Sequence, residues 1–181
     1  MRKRIYLFNL VLLFGITGCG TTALNFKPTD DKVDLARYKS LTIETSTARD
    51  IAVSEPTQQR IKGLIKSEII QCCKDRFENI SVGDPGSQEL LLVVRFTIYE
   101  EGNRFARFML AGLGAMQIHA NVEIKDAESA RLLSGGEAGK TFAWGGVVGA
   151  TKGIEDLEED FAKEVVQGLR KALGILPASD K

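Results

Sequence analysis

Apolar residues recur with two periods along this chain, and the switches between them divide it into elements. Ser40 to Thr45 sets Leu41 and Ile43 against Thr42 and Glu44, an alternation that predicts a short strand. From Ser54 the period lengthens. Ile61, Leu64, Ile65, Ile69, Cys72 and Cys73 share one face of a helix running to about Phe77, with Ser54 as its cap and Pro56 in the first turn. Ile80 to Val82 reads as a brief strand, stopped by Gly83-Asp84-Pro85-Gly86. The clearest alternation is Glu89 to Glu100, with Leu92, Val94, Phe96 and Ile98 on one side and Arg95, Thr97 and Tyr99 on the other. Ile118, Ala120, Val122 and Ile124 against His119, Asn121, Glu123 and Lys125 predict its partner. After a turn at Asp126 to Ser129, Arg131 to Phe142 is a third strand, softened by Gly135, Gly136 and Gly139. Residues 143–153 read as a loop. A last helix follows from Ile154 to Leu173, with acids at its start, Arg170 and Lys171 at its end, and Gly174 and Pro177 to stop it. The fold expected is α+β: an antiparallel sheet of about four strands with two amphipathic helices packed on one face.

The amino terminus belongs to none of this. Met1-Arg2-Lys3-Arg4 precedes an apolar stretch from Ile5 to Ile16 and the small-residue site Gly18-Cys19. A membrane-spanning helix needs about 20 apolar residues, whereas a secretory signal needs only about 7–15. The run fits the signal. Ile16-Thr17-Gly18-Cys19 resembles the lipobox of bacterial lipoproteins, and that resemblance implies acylation of the Cys19 sulfur and cleavage ahead of it. The expected organisation is a signal peptide over 1–18, a lipidated tether over 19–38 and a single α+β domain over 39–176. Gly20-Thr21-Thr22, with no Asp beside the cysteine, implies an outer-membrane lipoprotein facing the periplasm.

Charge narrows the partners. Cleavage would remove Arg2, Lys3 and Arg4 and leave 163 residues, with 21 basic against 24 acidic side chains and a net charge of −3. Nucleic acid is an unsuitable partner for such a surface. One domain of this length buries roughly 70% of its unfolded surface.

A segment between the two clearest strands carries a family resemblance. Gly102-Asn103-Arg104-Phe105-Ala106-Arg107-Phe108, then Ala111-Gly112-Leu113-Gly114-Ala115, a strand with Val122 and Ile124, the Asp126 turn and Trp144-Gly145-Gly146 resemble the bacterial family called domain of unknown function 4410. The resemblance implies an envelope lipoprotein of undetermined role.

Candidate chemistry is sparse. Ser134-Gly135-Gly136-Glu137-Ala138-Gly139-Lys140-Thr141 approaches a phosphate-binding loop, but begins with Ser and lies in a strand that leads to no helix. His119 is the single histidine, on the polar side of its strand, without neighbours at metal-ligand spacing. No Gly-x-Ser-x-Gly elbow occurs. No catalytic residue, metal or cofactor is therefore expected, and hydrolysis of an envelope polymer is the weakest reading. Cys72 and Cys73 are expected as two free core thiols.

Residues 104–116 remain as the place for a function. The connection exceeds the usual hairpin loop of 2–5 residues. It combines Phe105, Phe108, Met109, Leu110 and Leu113 with Arg104 and Arg107, and Gly112 and Gly114 permit close backbone approach. It either packs over the sheet or presents an apolar patch with two arginines to a protein partner or lipid, with Trp144 at its border. The expectation is a non-catalytic binding or regulatory partner of an envelope assembly, held on a membrane by its lipid; the alternative is a subunit of a homo-oligomer.

Overall fold

The computed structural model describes residues 20–22, 24–29, 34–83, 89–109 and 113–175. The expected signal peptide 1–18, the lipidation site Cys19 and Gly112 lie outside the described residues. In chain order the elements are β1 (Gly20–Thr22), β2 (Lys27–Pro28), a 3-10 turn (Leu35–Arg37), β3 (Ser40–Thr47), α1 (Glu55–Cys73), β4 (Asn79–Val82), β5 (Glu89–Glu100), α2 (Arg104–Met109), β6 (Met116–Asp126), β7 (Leu132–Phe142), α3 (Gly146–Thr151) and α4 (Ile154–Ala172).

All strands join one sheet in the order β1-β7-β6-β5-β3-β4, with β2 also on β7. The sheet is mixed, which corrects the antiparallel expectation. β5, β6 and β7 form an antiparallel meander, but β3 runs parallel to β5 from Ser40↔Glu89 to Thr47↔Phe96 and parallel to β4 from Ser40↔Asn79 to Ile43↔Val82. The cause is α1. A helix between two neighbouring strands carries the chain back to the starting end, so the second strand runs parallel to the first.

Two helices form the second layer, as the α+β reading expects. α1 begins where the Thr57 amide donates to Ser54 Oγ at 3.3 Å, and its buried Ile61, Ile65, Ile69 and Cys73 recur every four residues along one stripe. α4 buries Leu157, Phe161, Val165 and Leu169; the Gly153 amide donates to Asp156 Oδ2 at 2.8 Å at its start. Both stripes face Leu41, Ile43, Leu92, Val94, Phe96, Ile118, Val122 and Ile124 on the sheet. Phe96 and Phe161 lie with ring centroids 6.0 Å apart. Burying each such side chain contributes about 1.5–3 kcal/mol, so this layer interface dominates stability.

A register shift between Phe96 and Ile98 changes the faces of β5. One extra residue reverses side-chain direction beyond it. Tyr99, expected on the open side, therefore meets the helix layer and donates from its hydroxyl to Glu158 Oε1 at 2.6 Å, while Ile98 pairs with His119 outside the core.

The amino-terminal segment expected as a tether is folded onto the domain where it is described. β1 pairs Gly20↔Thr141, Thr21↔Lys140 and Thr22↔Gly139, and the Thr29 amide donates to the Leu133 carbonyl at 3.0 Å. Leu24 is 0% exposed. Its amide donates to Glu164 Oε1 at 2.8 Å, and Lys140 Nζ holds the other oxygen of that carboxylate at 3.2 Å. Where described, residues 20–22 and 24–29 thus pack on the folded domain rather than hang as a free tether.

The two cysteines also differ from expectation. Cys72 and Cys73 are paired through their sulfurs at the end of α1, with Cys73 buried and Cys72 half-buried.

Candidate functional site

The connection from β5 to β6 closes on itself before it projects anything. Asn103 starts α2 by accepting the Ala106 amide on Oδ1 at 3.0 Å, and its own amide donates to the Gly114 carbonyl at 3.0 Å. Gly102 and Gly114 flank this clasp with φ of 66° and 70°, where a side chain is strained. Space forbids one as well. A Cβ on Gly114 would lie 2.5 Å from the Asn103 carbonyl oxygen, and one on Gly102 would collide with that of Gly114.

Arg107 joins this excursion to α3. Its side chain is wholly buried, with Nε donating to the Gly149 carbonyl at 2.9 Å, Nη1 to Gly114 at 2.7 Å and Nη2 to Lys152 at 3.1 Å. Burial lowers its pKa, helped by the nearby charge of Arg104. The planar fork matches carbonyls arriving from three directions, which a lysine could not do. Arg107 is therefore a brace, and its expected place in a surface contact is corrected.

The apolar residues around the brace point outward. At 100° per residue, Phe105 and Met109 fall on the side of α2 away from Arg107. Phe105 is 72% exposed, and Phe108, Met109, Leu113, Trp144 and Val147 are exposed too. These six are most of the large apolar side chains left exposed among the described residues. Of the candidate residues, Phe105, Phe108 and Trp144 thus share one platform made by α2 and α3. Arg104 is exposed beside it, with its guanidinium over Gly153 at the start of α4. Gly114 acts through its backbone.

The platform stands at the end of the sheet from which the amino terminus leaves. Gly20 pairs with Thr141, Met116 with Phe142, and Gln117 with Glu100, so the start of β1, the end of β7, the start of β6 and the end of β5 lie side by side. Strands are spaced about 4.8 Å apart. Gly20 therefore lies within roughly 15 Å, three strand spacings, of the strand ends that lead into the loops carrying the platform.

Two charged clusters lie elsewhere, and the sequence reading missed both. Glu158 is fully buried on the stripe of α4, where Arg60 Nε and Nη2 reach it at 2.5 and 2.7 Å beside the Tyr99 hydroxyl. Burial and this carboxylate raise the Tyr99 pKa, and the carboxylate raises that of Arg60. The second cluster holds Asp126, which accepts from the Tyr38 hydroxyl, from Arg37 Nη2 at 3.0 Å, and from the Ser129 amide at 2.9 Å and hydroxyl at 2.8 Å. These donors hold the Asp126 carboxyl well below the usual carboxylate range, the Tyr38 bond first. The signal for the first cluster was Glu158 falling on the apolar stripe four residues after Ile154. The second pairs groups 88 residues apart, for which no local pattern exists.

The remaining sequence candidates stay apart from one another. His119 is half-buried over Gly139, with Nε2 3.4 Å from Thr141 Oγ1. The phosphate-loop-like segment 134–141 lies inside β7. Among the described residues no group of three His, Cys, Asp or Glu side chains is placed to hold a metal ion.

Comparison with known proteins agrees with the fold. A PelC dodecamer from Paraburkholderia phytofirmans, in a substituted form crystallised in space group C2, is similar with a TM-score of 0.54 and 10% identity, over 83% of this chain and 97% of that one. A second PelC dodecamer structure from the same organism gives 0.51 and 10%, over 84% and 96%. The lipoprotein GNA1162 from Neisseria meningitidis matches at 0.38 and 11%, over 73% and 98%, too distant to carry an argument. No curated protein matches the chain by sequence. The family model described as Domain of unknown function (DUF4410) matches residues 41–146, from β3 to the start of α3, and the chain belongs to that family.

Proposed function

We propose that this protein is a non-catalytic lipoprotein of the bacterial envelope, facing the periplasm from the outer membrane, that holds a rigid domain directly against the lipid as part of an envelope assembly. The pairing of Gly20 with Thr141 carries this reading. If the lipid sits on Cys19, the sheet begins one residue later, so the domain has no slack with which to reach away. Among the described residues no helix is long and apolar enough to cross a membrane. Two or more acyl chains retain a protein stably where one does not. The sheet face opposite the helices carries Leu91 and Val93 beside Asn121, Glu123 and Lys125, and a groove of about 560 Å³ lies there between Asn121, Glu123, Glu137 and the amino-terminal Asn25 and Lys27. A protein partner has room there.

Intact mass of the protein extracted from membranes tests the anchor. The expected chain begins at Cys19 and carries the mass of the diacylglyceryl group and a further acyl chain. A chain that retains residues 1–18, or carries no lipid, overturns the reading. A photo-cross-linker at Asn121 in intact cells is expected to capture a distinct protein, and to lose it when residues 1–19 are exchanged for a secretory signal without a lipid site.

The likeness to PelC favours a second reading, since those relatives in fold are dodecamers. A ring of this chain would place many anchors on one membrane patch. Light scattering of the protein in detergent separates the two, as a monomer at micromolar concentration counts against the ring.

A further inference from the structure

We infer that the α2–α3 platform is itself a lipid-binding surface, which enters the membrane interface beside the acylated amino terminus and fixes how the domain stands. The inference rests on the proposed anchor and names what the apolar end of the domain meets. Its occupant follows from where the undescribed chain ends. Gly20 pairs with Thr141, and on the neighbouring strand Phe142 ends β7, two residues before Trp144. A lipid on Cys19 therefore brings the bilayer to the same end of the sheet as the platform.

The make-up of the platform fits that surface. Phe105, Phe108, Met109, Leu113, Trp144 and Val147 are each exposed on the neighbouring α2 and α3 and the loops beside them, whereas monomeric soluble surfaces rarely gather large apolar side chains in one region. Tryptophan and phenylalanine on a face with a basic neighbour, here Arg104, is the composition of interfacial segments. The platform is also rigid. Arg107 ties α2, the Gly114 turn and α3 by three hydrogen bonds, so the apolar side chains enter lipid without first being ordered. An acyl anchor alone leaves a domain free to swivel; a second contact at the same end fixes its tilt. The open sheet face then stands upright beside the membrane.

Trp144 is the single tryptophan of the chain, so its fluorescence reads the platform directly. Mature lipidated protein is reconstituted in phosphatidylethanolamine–phosphatidylglycerol vesicles, with or without brominated acyl chains, and quenching by bromolipid is compared with quenching by aqueous acrylamide. Bromolipid is expected to quench Trp144 strongly and acrylamide weakly. In Phe105→Ser/Met109→Ser, which alters only exposed positions, the bromolipid effect is expected to fall at least about twofold while circular dichroism stays unchanged. Protein that floats with the vesicles but keeps Trp144 open to acrylamide overturns the inference and leaves the anchor standing. Protein that fails to float overturns the anchor first. Trp144 shielded from both quenchers assigns the platform to a second copy or a protein, and also overturns the inference.

Discussion

Leu24 occupies the place where a side chain on Gly168 would stand. A Cβ built on that glycine would lie 2.5 Å from Leu24 Cδ2 and 2.6 Å from its Cγ. Gly136 completes the slot, since its Cβ would meet Leu24 Cδ1 at 2.8 Å. A glycine in the middle of a helix costs about 0.5–1 kcal/mol against alanine. Here it admits a buried leucine from a segment 144 residues away in sequence.

Gly168→Ala should therefore destabilise the domain, against the usual helix preference. Overpacking of this kind costs about 1–3 kcal/mol. The expected signature in hydrogen exchange is loss of protection over residues 20–29, with α1 and β5 unchanged. Equal or greater stability in urea would contradict the slot.

Arg107→Met keeps the volume of the brace and removes its donors. The Gly114, Gly149 and Lys152 carbonyls then lose their partner, at about 2–3 kcal/mol for the buried fraction. Arg107→Lys should recover only part of this, because one ammonium cannot serve three diverging carbonyls. Denaturation curves measure the loss, and exchange rates in α2 and α3 show where it falls.

Asp126 should make the protein acid-sensitive. Its folded pKa lies below its unfolded value of about 3.9, so its contribution is complete above that value and is lost as pH falls through the range beneath it. The unfolding free energy of Asp126→Asn should accordingly be lower than that of the parent at pH 6, with the gap narrowing as pH drops from 4 to 2. A constant gap across that range would mean that the Tyr38 and Ser129 bonds matter without the charge.

Arg60→Ala leaves the buried Glu158 carboxylate with Tyr99 alone. Removing one partner of a buried pair costs about 3–5 kcal/mol, and Arg60 is partly exposed, which places this case at about 2–3 kcal/mol. Tyr99→Phe should cost only about 1 kcal/mol. The double variant should fall short of the sum of the two single losses, because both act on one carboxylate. Thermal or urea unfolding of the four proteins gives the coupling.

The parts of the fold legible in sequence were those set by local periodicity. The β6 alternation and the α4 stripe needed no information beyond their own residues, and both are where the pattern places them. Strand direction was not legible, because Leu41 and Ile43 alternate identically in a parallel or antiparallel neighbour. Nor was the β5 bulge, which reassigns Tyr99 without altering the order of residues. Leu24 lies in the segment expected as a tether, where no period marks it for burial. Its slot depends on Gly136 and Gly168, which meet only in three dimensions. The platform was half legible: the excess of Phe and Met over 104–116 marked the segment, but nothing local distinguished Arg104 from Arg107. Burial made one a neighbour of the surface and the other its internal tie.

The pairing of β1 with β7 also has a meaning in time. Gly20 leaves the ribosome long before Thr141, its partner in the sheet. During synthesis the β1 segment is therefore open while its partner strand is still being made. Once β7 arrives and Leu24 enters its slot, β1 becomes the rim of a folded sheet. Completion of this edge of the sheet is thus timed by the folding of the far end of the chain.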